Sequence, residues 1–374
     1  MLKTRVTDIM TRADKHPFGS LATPLLGISV LYGGLAHLRR RLYALGTLKN
    51  RRLPCPVISV GNLTLGGTGK TPMVIHLAER ILAMGYRPVI LSRGYKGLAE
   101  KRGAVVSDGR SLLCDARQAG DEPYLMAALL PTVPVAVGRN RYRIGMDAVR
   151  RFHPDMVILD DGFQHLQLAR DFNMLLLDAR RPYGNGYIFP RGTLREPATS
   201  LHSADAVVLT RSGQNRGGEC SDLIRRVQPR PVFLSDHNSV VRLLLGAGQP
   251  VAGMTSGQRP DFDFKGKRVF AFTGLARNDA FFHALKGLGA GLQGTKGFDD
   301  HHAFTEGDLH RIAMDAERAG ATCLVTTDKD FVRLPRGIRL PLELIVMGVR
   351  MDFGEQRKVW QTYIERVVKK LAKR

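Results

Sequence analysis

Between Val57 and Pro72 the chain reads VISVGNLTLGGTGKTP, and the residues that follow, MVIHLAERILAMG, have helical spacing. A β-branched run, a glycine-rich turn, Gly-Lys-Thr and a helix together make a phosphate-binding loop. The glycines let backbone N–H groups approach an anion closely, and the helix N-terminus adds its dipole. In that arrangement Gly66, Gly67, Thr68 and Gly69 cradle phosphate, Lys70 reaches the β- and γ-phosphates, and the Thr71 hydroxyl binds Mg2+. The loop departs from the GxxxxGK[ST] pattern at its first position, which Thr64 occupies. A structural glycine turn is the bland account; the strand before and the helix after favour a nucleotide. A second group lies in MVILDDGFQH, residues 156–165. A hydrophobic strand ending in acid is where phosphate-loop enzymes hold Mg2+, and here Asp160 and Asp161 both end the strand. In a plain Asp-Gly turn these adjacent carboxylates would repel, so a cation or donors are expected beside them. Gln164 and His165 follow within one turn and can face the same cleft.

Three further clusters each admit two readings. In LSRGYKG (91–97), Arg93 either steadies phosphate or is solvated beside a glycine turn. In AGDEPYLMA (119–127), Asp121 is either a helix cap or a general base. In RGTLREP (191–197), Arg191, Arg195 and Glu196 form at least a loop salt bridge. FDDHHAF (298–304) holds Asp299, Asp300, His301 and His302. Adjacent histidines point in different directions and no further ligand is evident, so a histidine supporting an acid–base pair is a better use than a metal.

The elements that must position these residues alternate. Strands are expected at 56–60, 88–92, 133–138, 156–160, 173–178 and 206–210, and helices at 70–84, 122–130 and 140–152. This βα alternation predicts an α/β fold of the P-loop NTPase type: a mostly parallel sheet with helices on both faces. Ligands in such sheets gather at the carboxyl ends of the strands, so the paired acids should face the phosphate loop. The polar patch 211–222 reads as a loop before a further helix. From about residue 240 the pattern restarts with a strand in 267–276, a helix at 278–289 and a strand then loop at 323–330, which implies a second, smaller α/β domain.

Composition bounds the partners. A chain of 374 residues with formal charge +22 should seek an anionic partner: nucleic acid, anionic lipid or a phosphorylated substrate. Four scattered cysteines, Cys55, Cys114, Cys220 and Cys323, lack CxxC or Cys/His spacing and argue against a zinc site or a disulfide framework. Residues 17–36 carry no charge, and a basic run (Arg39, Arg40, Arg41, Lys49, Arg51, Arg52) follows. Lys3, Arg5, Arg12 and Lys15 precede it, so charge asymmetry places the body in the cytoplasm only weakly. The stretch can be a membrane-inserted helix, an interfacial helix or a buried core helix; a cleaved signal peptide is disfavoured. At the C-terminus Trp360, Tyr363, Ile364, Val367, Val368 and Leu371 form an apolar stripe among Arg366, Lys369, Lys370, Lys373 and Arg374. That stripe either docks on the protein's own core, the favoured reading, or lies on an anionic membrane.

GNLTLGGTGKTP, LSRGYKG, GDEP, ILDDGFQH, LREP, FDDHHAF and TTDKDFVRL follow one another in the order seen in tetraacyldisaccharide 4′-kinase, the lipid A 4′-kinase of Gram-negative bacteria. The chain resembles that family from near its N-terminus to about residue 335. The resemblance implies transfer of the ATP γ-phosphate to the 4′-hydroxyl of a tetraacylated glucosamine disaccharide 1-phosphate, with Mg2+. The implied partners are this lipid A precursor and an anionic membrane surface, with no nucleic acid. The implied location is the cytoplasmic face of the inner membrane, by peripheral contact or a single N-terminal helix. Asp121 is then the base for the sugar hydroxyl, His301 its partner and Lys70 the γ-phosphate contact. Thr71, Asp160, Asp161 and Glu196 organise Mg2+, while Arg93, Tyr95, Gln164, His165 and Arg195 touch substrate or phosphate. Four segments follow: a membrane-associated helix with its basic flank (1–45), a P-loop kinase domain (46–240), the smaller α/β domain (241–350) and a basic amphipathic helix (351–374). The alternatives are a membrane-associated NTPase switch and a nucleic-acid-stimulated ATPase. TTDKD is a poor match to a guanine-reading NKxD motif, and no helix-turn-helix, RRM or finger pattern is present.

Overall fold

A computed structural model describes residues 6, 8–10, 20–214, 223–225, 227–254 and 262–373. Lys3, Arg5, Arg12, Lys15, residues 17–19, the 215–222 part of the polar patch with Cys220, and Arg374 lie outside the described residues. In chain order the elements are α1 (Ala22–Ala44), β1 (Val57–Asn62), α2 (Lys70–Ala83), β2 (Pro88–Ser92), β3 (Ala104–Asp108), α3 (Ala116–Ala119), α4 (Asp121–Leu129), β4 (Pro134–Val137), α5 (Arg141–Phe152), β5 (Met156–Asp160), β6 (Phe172–Asp178) and β7 (Ala206–Thr210). They continue with β8 (Val232–Leu245), β9 (Arg268–Thr273), α6 (Asn278–Gly287), β10 (Gly291–Gly297), α7 (Glu306–Arg318), β11 (Cys323–Thr327), α8 (Asp328–Phe331), β12 (Glu343–Asp352) and α9 (Arg357–Ala372).

The chain divides into two compact units. The first comprises 1–93, 140–237 and 351–374. Its sheet runs β2-β5-β1-β6-β7-β8, every neighbouring pair parallel. The strands are buried along nearly their whole length, as continuous Val/Ile/Leu runs require when helices cover both faces. Val60 of β1 pairs with Asp160 of β5, which sets the paired acids beside the strand that enters the glycine loop. One core of this unit gathers Leu63, Phe163, Leu175, Leu177, Val207 and Leu209. Trp360, Ile364, Val368 and Leu371 of α9 are buried, with Trp360 edge-on to Phe233 at 5.1 Å. The C-terminal stripe therefore docks on the core, while Arg366, Lys369, Lys370 and Lys373 on the other face stay exposed.

From Ala22 the N-terminal stretch enters a helix of 23 residues, α1, which runs on through the arginines to Ala44. Among the described residues no helix is long and apolar enough to cross a membrane. The reason lies in its inner side. Ala22, Ser29 and Gly33 are buried, and the Ser29 hydroxyl donates to the Ile188 carbonyl at 2.7 Å and accepts from the Arg191 N–H at 2.9 Å. Its outer side leaves Val30, Leu31 and Leu35 at 68%, 67% and 59% exposure.

The second unit comprises 94–139 and 238–350. Its parallel strands run β10-β9-β11-β12, around a core of Val269, Ala271, Val325 and Ile345, and β3 pairs antiparallel with β4. This division cuts across the segments read from sequence, and residues 1–45 group with the phosphate loop. Residues 94–139 group with 238–350 rather than with the phosphate loop, and 351–374 belong to the phosphate-loop unit. Strand β8 was not expected, because Asp236, His237, Asn238 and Ser239 break its apolar run.

Candidate active site

The phosphate loop leaves β1 and enters α2 at Lys70, with Gly66 and Gly69 in left-handed backbone at φ of 110° and 87°. Lys70 Nζ donates to Asn62 Oδ1 at 3.2 Å and lies 3.5 Å from Asp161 Oδ1. Arg195 Nη1 meets both oxygens of Asp161 at 2.9 and 2.8 Å, and Gln164 Nε2 donates to the Asn62 carbonyl at 2.8 Å. Lys70, Asp161, Gln164 and Arg195, separate motifs in sequence, thus form one polar cluster. Burial opposes ionisation of Asp161, but Lys70 and Arg195 together outweigh it and hold the carboxyl below its usual range. Asp161 also sits at φ 49°, an uncommon conformation for a residue with a Cβ.

Asp160 is buried and accepts from the Ser92 hydroxyl at 2.8 Å. Thr71 is buried in the first turn of α2. Glu196 is buried and paired with Arg40 of α1. Among the described residues no three His, Cys, Asp or Glu side chains converge as a metal-binding group. The oxygen donors that do lie at the carboxyl end of the sheet, Thr71, Asp160 and Asp161, are of the hard type that Mg2+ takes.

His165 lies in a field of arginines. Burial and then Arg141, Arg170, Arg39 and Arg93 push its imidazole down to about 3. Arg93 is thus part of the cationic surroundings of His165, whereas Tyr95 is exposed in the second unit. Sequence reasoning missed the groups that brace the phosphate loop from beneath. Thr210 Oγ1 donates to the Thr68 carbonyl at 3.1 Å, and Arg211 Nη2 donates to the Gly67 carbonyl at 2.8 Å. The His237 imidazole lies against Gly69, where any Cβ would collide with it. The signal available was the Thr-Arg that ends the apolar run AVVLTR at the carboxyl end of β7.

In the second unit, Asp121 begins α4 and His301 Nδ1 lies 2.7 Å from its Oδ2. The two motifs that hold Asp121 pack through glycine. A Cβ at Gly97 would sit 2.6 Å from both the Gln118 carbonyl and the Gly120 N–H, so RGYKG can close on AGDEP only without a side chain there. His302 turns the other way, to Asp308 at 3.1 Å, within the capping box of α7. The Thr305 backbone N–H, its hydroxyl, His302 and Arg311 all hold the Asp308 carboxyl well below the usual carboxylate range. The adjacent histidines therefore turn to different acids, His302 to Asp308 and His301 to Asp121, with Asp300 Oδ2 3.8 Å from the other ring nitrogen of His301.

A family model described as Tetraacyldisaccharide-1-P 4'-kinase matches residues 21–369. The chain is 39% identical over 357 residues to a tetraacyldisaccharide 4'-kinase of Desulfatibacillum aliphaticivorans, with 96% of each chain covered. It is 42% identical over 320 residues to one of Pelobacter propionicus, covering 85% of this chain and 84% of that one. A crystal structure of LpxK from Aquifex aeolicus in complex with ATP is similar with a TM-score of 0.73 at 34% identity, over 93% of this chain and 99% of that one.

Proposed function

The chain belongs to the tetraacyldisaccharide-1-P 4'-kinase family, and from that premise we propose how its residues divide the work. It is a lipid kinase: the γ-phosphate of ATP passes to the 4′-hydroxyl of a tetraacylated glucosamine disaccharide 1-phosphate, giving the bisphosphorylated lipid A precursor. Phosphoryl transfer demands alignment and charge neutralisation more than covalent chemistry. The backbone of Gly66 to Gly69 and the Lys70 ammonium bind the ATP phosphates. The observation that carries this reading is Lys70 at the first turn of α2, 3.5 Å from an Asp161 that Arg195 holds with both oxygens engaged.

Thr71, Asp160 and Asp161 are the residues that would hold Mg2+, with Glu196, paired to Arg40, organising it directly or through water. A bound Mg2+ would supply positive charge against the phosphates of ATP. Arg195 and Gln164 hold Asp161 and Asn62 in place. The arginines around His165 attract the anionic substrate. Asp121 accepts the proton of the 4′-hydroxyl, and the His301 Nδ1–H, 2.7 Å away, keeps the carboxylate oriented.

The outer side of α1 lies in the membrane interface on the cytoplasmic face of the inner membrane, where both ATP and the acylated acceptor are within reach. Its exposed Val30, Leu31 and Leu35, followed by Arg39 to Arg41, have the composition of an interfacial helix at an anionic surface. The test is transfer from γ-phosphate-labelled ATP to the tetraacyl disaccharide 1-phosphate in detergent micelles, with Mg2+ and with EDTA. A metal-dependent bisphosphorylated lipid is expected. Hydrolysis of ATP without labelled lipid would overturn the acceptor and bring the NTPase-switch reading forward.

A further inference from the structure

We propose that Arg333 is a positioning residue for the proton-accepting carboxylate: it fixes which oxygen of Asp121 meets the acceptor hydroxyl. This inference rests on the reading of Asp121 as the base. Arg333 follows α8 in the TTDKDFVRL segment, and its side chain is only 8% exposed. Its Nε lies 3.4 Å from Asp121 Oδ2, the same oxygen that His301 Nδ1 approaches at 2.7 Å. The Nε–H itself is donated to the Lys329 carbonyl at 3.0 Å, so Arg333 acts on Asp121 as a nearby charge. Among the described residues both contacts of the Asp121 carboxylate therefore fall on Oδ2, which directs Oδ1 to the incoming hydroxyl.

The same guanidinium holds the carbonyl that follows His301 and the carbonyl to which the His301 backbone is bonded. Its Nη1 donates to the His302 carbonyl at 3.1 Å, and its Nη2 to the Gly274 carbonyl at 3.3 Å. That Gly274 carbonyl also accepts the His301 backbone N–H at 3.1 Å. His301 stands at φ 63°, a conformation that needs such support. Arg333 is itself locked by Asp330, whose carboxylate accepts from Arg333 Nη2 at 2.7 Å, Thr273 Oγ1 at 2.6 Å, Thr327 Oγ1 at 2.6 Å and the Gly274 N–H at 2.9 Å. The planar fork reaches four partners with one group, which a flexible ammonium does less well. On the other side of the same segment Lys329 pairs with Glu122, next to the base.

The experiment measures kcat and KM for the full chain in micelles for Arg333→Met, Arg333→Lys, Asp121→Asn and Asp121→Asn with Arg333→Met, with melting followed by circular dichroism. Arg333→Met is expected to lower kcat on the order of thirtyfold, part of the hundredfold or more that a positioned base contributes, with KM for ATP within about twofold. Arg333→Lys keeps the charge beside Asp121 but not the fork, and is expected to recover only part of that loss. In the Asp121→Asn background the Met substitution is expected to change kcat by less than about twofold, since its route of action is gone. An Arg333→Met enzyme at full rate, or one whose loss multiplies in full with Asp121→Asn, overturns the inference. If Arg333→Met lacks a cooperative melting transition, Arg333→Gln with Asp330→Asn removes both buried charges together and carries the same two expectations. A full-rate Asp121→Asn enzyme overturns the base reading itself. A slow Asp121→Asn enzyme beside a full-rate Arg333→Met one overturns the inference alone.

Discussion

Burial and four arginines keep the His165 imidazole neutral, down to about 3 against an ordinary 6.5. The unfolded chain takes up a proton near pH 6.5 that the folded chain refuses. Stability from this residue is therefore complete above about pH 6.5 and is lost as the pH falls toward 3. Between pH 7 and pH 5 the wild type should lose about 2 kcal/mol more than His165→Gln, read as the difference in urea unfolding followed by Trp360 fluorescence. Equal slopes would mean that the arginines leave the imidazole unperturbed. Lys70→Ala tests the opposite charge. Without its ammonium the transferring phosphoryl group loses on the order of 3 kcal/mol of stabilisation, roughly a hundredfold in kcat. Near-normal turnover would remove Lys70 from the chemistry. Lys70 with Thr71, and Asp160 with Asp161, stand out in the sequence because each pair sits inside a short motif, a glycine loop entering a helix and a strand end entering a turn. Thr210, Arg211, His237 and Arg333 were not, because each reaches its partner from a strand or loop distant in sequence. Glu196 was placed with Mg2+ by the family resemblance alone, and its Arg40 partner, 156 positions away, could not be read from the sequence.

At the scale of elements, the strands and helices of the phosphate-loop unit were legible almost to the residue, since buried parallel strands are unbroken apolar runs. The exceptions have a common cause. Strand β8 carries polar residues at its middle, and α1 hides its small and hydroxylic positions, Ala22, Ser29 and Gly33, against the protein while presenting leucines outward. A hydropathy reading sums both sides of such a helix and cannot separate spanning from lying flat. Val30→Glu with Leu31→Glu separates them. Fully burying such a side chain is worth ~1.5–3 kcal/mol, so losing both should weaken sedimentation with anionic vesicles by about a hundredfold or more, while leaving kcat on micelles nearly unchanged. Binding that is unaffected would place the contact elsewhere, the exposed lysines of α9 being the next surface to mutate. The junction of RGYKG with AGDEP is the other element-scale device. Gly97→Ala forces a Cβ to 2.6 Å from two backbone atoms, neither of which can swing aside. It should cost about 1–3 kcal/mol of stability and lower kcat more than it raises KM for ATP, because Asp121 begins the displaced helix.

The whole molecule carries +22 over two units, and one residue lets a single unit be followed. Trp360 is the chain's only tryptophan and belongs to the phosphate-loop unit. Its Nε1–H donates to His76 Nε2 at 3.0 Å, and its ring stacks on Phe353 at 4.3 Å between centroids. His76 stands on α2, the helix whose first turn carries Lys70 and Thr71, so the indole reports the integrity of the nucleotide-binding framework. ATP has no site on the unfolded chain, and at about a hundredfold its Kd it stabilises the folded unit by about 2.7 kcal/mol. For a domain of this size each kcal/mol moves the midpoint by about 2–4 °C, which gives a rise of roughly 5–10 °C in the tryptophan-detected transition with saturating ATP and Mg2+. Lys70→Ala should abolish most of that rise, whereas Asp121→Asn, in the other unit, should keep it. Equal rises in all three proteins would mean that ATP is held by groups other than the phosphate loop. A rise lost in Asp121→Asn would make that carboxylate part of nucleotide binding rather than the acceptor of the sugar proton.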